Sequence, residues 1–301
     1  MSATKYAIYI PSKDRAATQY TAEALSADNV DFSIVVEPCD VDAYTAAGWG
    51  EHLLVLPFEN LGLGPIPARN FIRDHAEASG ATRHWQLDDN IKGFKRLVRS
   101  QRISCRADIA LRVAEDFTDR YTNIGLTGLQ YAMFAIPGAV TAPFFLNNFV
   151  YSCVLINHAL PCRWRGRYNE DADLCLQAIA NGFCNVTINV FLQDKIKTMT
   201  LKGGNTADYD PSIDGRLKMA RELERMWPGV VTVSRRFKRP QHVIAKNWAP
   251  FRALKLQLRD DIDLSQFERV DEYGLVLKKV KQSAHINDEL LADIAQFEPA
   301  R

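Results

Sequence analysis

The chain has 301 residues, 47% of them hydrophobic, and 37 Lys and Arg against 36 Asp and Glu. That suffices for one large core or two small ones, and the near-zero balance leaves only the distribution of charge to speak for partners. No apolar stretch reaches the ~20 residues that span a bilayer. The opening MSATKYAIYIPSKDR lacks a signal-peptide pattern. The six cysteines, at 39, 105, 153, 162, 175 and 184, form neither CxxC nor a zinc-finger spacing. They read as reduced, buried thiols of a cytoplasmic protein.

In chain order, YAIYIPSKDR (6–15) is a short apolar run closed by Pro11 and predicts a buried strand with a loop at its end. A helix is predicted over 16–27, a strand over 31–38, a short helix over 41–48 and a strand over 52–57. The segment 64–81 becomes helical after Pro67 and is ended by Gly80. RHWQLDDN (83–90) predicts a fourth strand. Strands and helices thus alternate at βαβ spacing, the pattern of an α/β domain with a mostly parallel sheet covered on both faces. Ligands of such sheets collect at the C-terminal strand ends, where Lys13, Asp14, Arg15, Glu37 and Asp88 to Asn90 fall. Strands are further predicted over 122–136, 147–157 and 186–195, and helices over 170–182 and 212–229, the last stopped by Pro228. A basic extension (230–301) follows the domain (1–229), and its last twenty residues predict a loosely held helix. No internal repeat or low-complexity segment is present.

Three motifs carry chemistry. In GLGPIPARN (62–70) the third glycine of a dinucleotide fingerprint is replaced by Pro67. Arg69 and Asn70, in the first turn of a helix, are better placed to touch a phosphate or base. In WQLDDN (85–90) the carboxylates sit where the strand leaves the sheet. Hard divalent cations take oxygen ligands, so Asp88, Asp89 and Asn90 suit Mg²⁺ or Mn²⁺ beside a diphosphate, or else an exposed turn. In RYNEDADLCLQ (167–177) Asn169 could cap a helix bearing Glu170, Asp171 and Asp173 in its first turn. That is ordinary helix-start chemistry, or a general base for an acceptor hydroxyl.

Taken together and in order, NLGLGPIPARN…HWQLDDN and NEDADLCLQAIANG resemble the GT-A nucleotide-diphosphosugar glycosyltransferases similar to family two. The likeness covers about residues 6–205. It implies a GT-A, Rossmann-like fold and an inverting transfer from a nucleoside-diphosphate sugar. Asp171 then matches the catalytic base, with Glu170 supporting it. Ser12, Asp14, Arg15 and Glu37 would contact the nucleoside, Arg69 and Asn70 base or phosphate, and Asp88 ribose or donor sugar. Asp89 or Asn90 would hold a divalent metal. Asn90 replaces the last Asp of the family's D-x-D, which weakens the expected metal set. Gln177 stands where the family often has Arg, and the absence of Q-x-x-R-W argues against a processive synthase. Lys202, in the glycine loop 202–205, would offset charge on the leaving diphosphate.

PIPARNFIRDHA, HWQLDDNIKGF and GRYNEDADL look like the TET/JBP-associated glycosyltransferases of phage. These are thought to place a sugar, here expected from UDP, on a hydroxylated pyrimidine such as 5-hydroxymethylcytosine in DNA. The charge distribution bears on that acceptor. Lys92, Lys95, Arg96, Arg99, Arg102 and Arg106 run without an acidic residue. Arg235, Arg236, Lys238 and Arg239 open a second basic segment, with Trp248 further along. Such clusters follow a phosphate backbone, and interleaved aromatics (Phe94, Phe237, Trp248, Phe251) stack on extruded bases. The alternatives are solvated helix faces with core aromatics, an acceptor that is a glycan or small molecule, or a non-catalytic DNA-binding module.

Overall fold

The computed structural model describes residues 4–139, 141–196, 215–236, 239–245, 248, 250 and 253–276. Its strands are β1 (Ile8–Pro11), β2 (Ser33–Val36), β3 (Leu53–Val55), β4 (Arg83–Leu87), β5 (Ile91–Val98), β6 (Gln101–Cys105), β7 (Ile124–Tyr131), β8 (Phe144–Leu146), β9 (Cys153–Asn157), β10 (Cys184–Lys195), β11 (Val231–Arg236) and β12 (Arg239–Ile244). Its α-helices are α1 (Tyr20–Ala27), α2 (Val41–Ala46), α3 (Ile66–Ala78), α4 (Ala107–Thr118), α5 (Glu170–Ala180) and α6 (Gly215–Met226).

The first ten strands form one sheet in the order β3-β2-β1-β4-β9-β7-β10-β5-β6, with β8 also on β10. The pairings set the directions. β3, β2, β1, β4, β7, β10 and β6 run one way, and β9, β5 and β8 run the other. Period-two alternation explains why the strands read as continuous apolar runs. Ile8 and Ile10 pack with α1, α2 and α4, while Tyr9 packs with α3 on the opposite face. Trp85 and Leu87 do the same on β4, which turns Gln86 toward α3. α5 covers β7 and β9 through Leu174, Cys175 and Ala178. β11, β12 and α6 bury Leu223 and Val231 against Ala172 and Leu176 of α5. Four of the six cysteines are buried, and none forms a disulfide.

Several elements differ from the expectations. The basic stretch after Asn90 is a β-hairpin, β5 and β6, not a solvated helix. Pairing of β5 with β10 decides this, because it buries Ile91 and Phe94 in the main core. Phe94 is therefore not an exposed stacking platform. A helix, α4, follows where none was expected. The predicted strand over 147–157 starts only at Cys153, after a left-handed Ser152. The expected tail helix, Lys202, Phe237, Lys238 and Phe251 lie outside the described residues. No described helix is long and apolar enough to cross a membrane.

Candidate active site

A cavity of about 540 Å³ opens at the C-terminal ends of β1, β2 and β4. Of the sequence-predicted residues, Ser12, Asp14, Arg15, Glu37, Arg69, Asp88, Asp89, Asn90, Glu170 and Asp171 all line it. β1 and β4 are adjacent parallel strands, so the residues leaving their ends meet.

One wall is a closed hydrogen-bond network. Asp89 is buried and both its oxygens are taken. Ser12 Oγ donates to Oδ2 at 2.6 Å, and Arg15 Nη1 donates to Oδ1 at 2.6 Å. Burial raises the Asp89 carboxyl, and the Arg15 charge works against that rise. The Ser12 hydroxyl also meets Tyr44 Oη (2.7 Å) and accepts from Gln19 Nε2 (2.7 Å). It lines the cavity with its hydroxyl committed inward. Glu37 accepts from Lys13 Nζ at 2.6 Å and from the Asn60 backbone N–H at 2.9 Å. Asp14 stands exposed at the mouth with φ 55°.

Asp88 is the hub of the floor. Its Oδ1 accepts from Arg69 Nη2 at 3.0 Å and its Oδ2 from Lys195 Nζ at 2.7 Å. Burial alone would raise its carboxyl, but the Lys195 and Arg69 charges prevail and hold it well below the usual carboxylate range. The Arg69 guanidinium is buried, lies 4.5 Å from the Trp164 ring centroid, and donates to Gln86. Nothing in the sequence marked Lys195. It ends β10, where the pairing with β5 shifts register between Gln193 and Lys195, and such irregularities re-aim side chains. Its ammonium also donates to Ser152 Oγ at 2.6 Å, which in turn meets Tyr131 Oη.

Glu170 and Asp171 open α5 on the opposite wall. Asp171 Oδ1 is buried without a hydrogen-bond partner among the described residues. Burial pushes the Asp171 carboxyl up to about 7; Arg69 opposes this, and the charges of Glu170 and Asp88 add to it. Burial likewise raises Glu170. The third acid of the motif, Asp173, is a structural anchor. It accepts from Trp227 Nε1 (2.6 Å), Arg165 Nε (3.0 Å) and Gln177 Nε2 (2.7 Å). Gln177, in place of a family arginine, thus serves that anchor. Asn169 is no side-chain cap: it sits at φ 55° and donates to Met219 O at 2.7 Å.

Three further expectations are corrected or filled in. Asn70 does not line the cavity. Its amide clamps the Trp164 backbone at both ends, Nδ2 to O at 2.9 Å and N to Oδ1 at 3.1 Å. Arg73, one turn on, donates to the carbonyls of Leu160 and Cys162 in the same loop. Trp248 packs on Trp227, centroids 6.0 Å apart, in the cluster shared by α5 and α6, so it is not a free stacking surface. The Gly62-x-Gly64 pair turns through left-handed φ values of 69° and 65°, and a Cβ on Gly64 would collide with the Arg167 guanidinium.

A divalent cation does not fit the residues expected to hold it. Both Asp89 oxygens already accept from Ser12 and Arg15, and both Asp88 oxygens from Arg69 and Lys195. That leaves the Asn90 amide, whose Oδ1 is buried and has no partner among the described residues but carries no charge. A hard dication wants anionic oxygens, and both here already face cations. Among the described residues no cluster of three His, Cys, Asp or Glu is arranged for a metal.

Of the expected DNA contacts, Lys92 is exposed on β5, 5.9 Å from the Tyr20 ring centroid, and Arg99 is exposed in the hairpin turn. Lys95 pairs with Asp194 (2.7 Å). Arg96 lies over Phe191 and donates to Gly274 O, and Arg102 donates to Ala132 O. Arg235 is exposed on β11, while Arg236 and Arg239 belong to the β11–β12 turn region.

A mixed α/β sheet with a polar cavity at its strand ends, walled by a part-buried Arg–Asp–Lys cluster and a raised carboxyl, suits group transfer from an anionic donor. Residues 6–204 match the family model of the TET-Associated Glycosyltransferase, and the chain belongs to that family of glycosyltransferases. Among solved structures the chain is similar to a Desulfovibrio desulfuricans protein described as a nucleotide-diphospho-sugar transferase. The identity is 10% and the TM-score 0.40, over 65% of this chain and 84% of that one. No curated protein matches the chain.

Proposed function

We propose that the protein transfers a sugar from UDP, with inversion, to the hydroxyl of a 5-hydroxymethylpyrimidine in DNA, 5-hydroxymethylcytosine first. The observation that carries this is Asp171. It has a buried oxygen with no partner among the described residues and a carboxyl raised to about 7, in the cavity whose floor is Asp88, Arg69 and Lys195. A base poised near the working pH removes a proton efficiently from an attacking hydroxyl. Asp171 takes the acceptor proton, the acceptor oxygen bonds to C1 of the sugar, and the electron pair of the broken C1–O bond leaves on the diphosphate. Glu170, next to Asp171 at the start of α5, supports its basicity, because, on top of burial, a carboxylate beside it raises the Asp171 carboxyl. Arg15, Glu37 and Asp14 contact the nucleoside at the mouth. Lys92 and Arg99 of the hairpin, with Arg235 and the basic residues beside it, lead the acceptor backbone in. In this reading residues 1–229 bind donor and acceptor, and 230–301 add the second basic face.

A small-molecule or glycan acceptor is the second reading, favoured by the internal partners of Lys95 and Arg102. The test is a panel of nucleotide sugars incubated with hydroxymethylcytosine DNA, followed by mass analysis of the nucleosides. A hexose or pentose adduct on that base is expected. Transfer only to free sugars, at a rate independent of DNA, establishes the second reading instead.

A further inference from the structure

The geometry points to Lys195 as the cation that faces the donor diphosphate, in the place a divalent metal would take, so that nucleotide binding needs no metal. This rests on the nucleoside-diphosphate donor proposed above and deepens it.

Three observations converge. First, each oxygen of the Asp88–Asp89 carboxylates already accepts a hydrogen bond from this chain, one from Ser12 and three from the cations Arg15, Arg69 and Lys195. A dication entering here meets the repulsion of these cations unless it displaces Arg15 or the Arg69–Lys195 pair. Either displacement strands a buried positive charge beside another, the costly half of breaking a buried ion pair. Second, the third position of the motif is Asn90, so one anionic ligand is already missing. Third, Lys195 is held for the role. Its ammonium carries three donors. One goes to Asp88 at 2.7 Å and one to Ser152 at 2.6 Å, which leaves the third for a ligand.

Arg69 and Lys195 are two cations on the floor where a diphosphate would lie, ion-paired there to the single carboxylate of Asp88 and feeling Asp171 more remotely. In the transfer step, the electron pair from the C1–O bond settles on a phosphate oxygen. A fixed ammonium in a site of low dielectric stabilises that charge, as a metal does elsewhere. Asp88 then acts as a positioning residue that keeps Lys195 on the floor. The register shift at the end of β10 is what delivers Lys195 to it.

Calorimetric titration of the full-length protein with UDP and other nucleoside diphosphates tests this directly. Wild-type protein treated with EDTA should bind the nucleotide as tightly as protein given Mn²⁺, within about twofold. Lys195→Ala should weaken nucleoside-diphosphate binding by about 30-fold or more and leave binding of the bare nucleoside unchanged. Lys195→Arg should restore part of the loss. Nucleotide binding that vanishes with EDTA and returns with Mn²⁺ overturns the inference while keeping the donor reading, and so does a Lys195→Ala protein that binds like wild type. If no nucleoside diphosphate binds with or without metal, the donor reading itself falls, and the inference with it.

Discussion

Asp89 and Asp171 line one cavity but live under opposite conditions. Asp89, at the end of β4, spends both oxygens on Ser12 and Arg15. Asp171, at the start of α5, keeps a buried oxygen with no partner among the described residues. A satisfied carboxylate holds neighbours in place, and an unsatisfied one stores a demand that a substrate proton can meet. In the proposed transfer the sheet side of the cavity is thus a preorganised frame, and the helix side supplies the reacting group.

The sharpest way to break this comparison is to neutralise the reactive side. Asp171→Asn should lower sugar transfer by about 10²–10⁴, measured by mass analysis of the acceptor, with donor affinity nearly intact by calorimetry. Equal loss of both would place Asp171 in the frame rather than in the chemistry. Asn70→Ala tests the frame from the other direction. Losing both contacts to the Trp164 backbone should cost about 1–3 kcal/mol of stability, read as a lower Tm. Nucleotide affinity should move little, whereas a phosphate contact would be lost outright. The smallest expected effect lies on the hairpin. Lys92→Ala combined with Arg99→Ala should reduce the salt slope of DNA binding by about 2 and leave transfer to a free hydroxymethyl nucleoside unchanged. An unaltered slope would move the acceptor path off β5.

How much of this was legible beforehand depended on whether an element is specified locally. β1 is a short run apolar on both faces and β4 alternates Trp85 and Leu87 with the polar His84 and Gln86, and Pro11 and the Asp88–Asp89 pair stop them, so their ends and the residues there could be placed. The Glu170–Asp171 pair was equally legible, because acids in a first helical turn followed by Leu174 and Leu176 mark a helix start. The hairpin was not. Its cations recur at 92, 95, 96, 99, 102 and 106, a helix-like spacing, and only pairing of β5 with β10 overrides it. Lys195 escaped for a related reason. It closes an apolar strand like any strand-end lysine, and its meeting with Asp88 across 107 residues depends on the register shift in β10. Asn70 misled because the first turn of a helix suits both a ligand and a neighbouring loop, and the Trp164 loop was invisible until the chain folded back.

In the proposed transfer Asp171 takes the acceptor proton with a carboxyl raised to about 7. A raised carboxyl is the active base only above its own value, so the pH dependence of kcat/KM for sugar transfer tests it most directly. The account predicts a rate that falls on the acid side with a midpoint near 7, and no such limb in the residual activity of Asp171→Asn. A wild-type rate flat from about pH 5 to 8, or an acid limb that persists unchanged in Asp171→Asn, would contradict it.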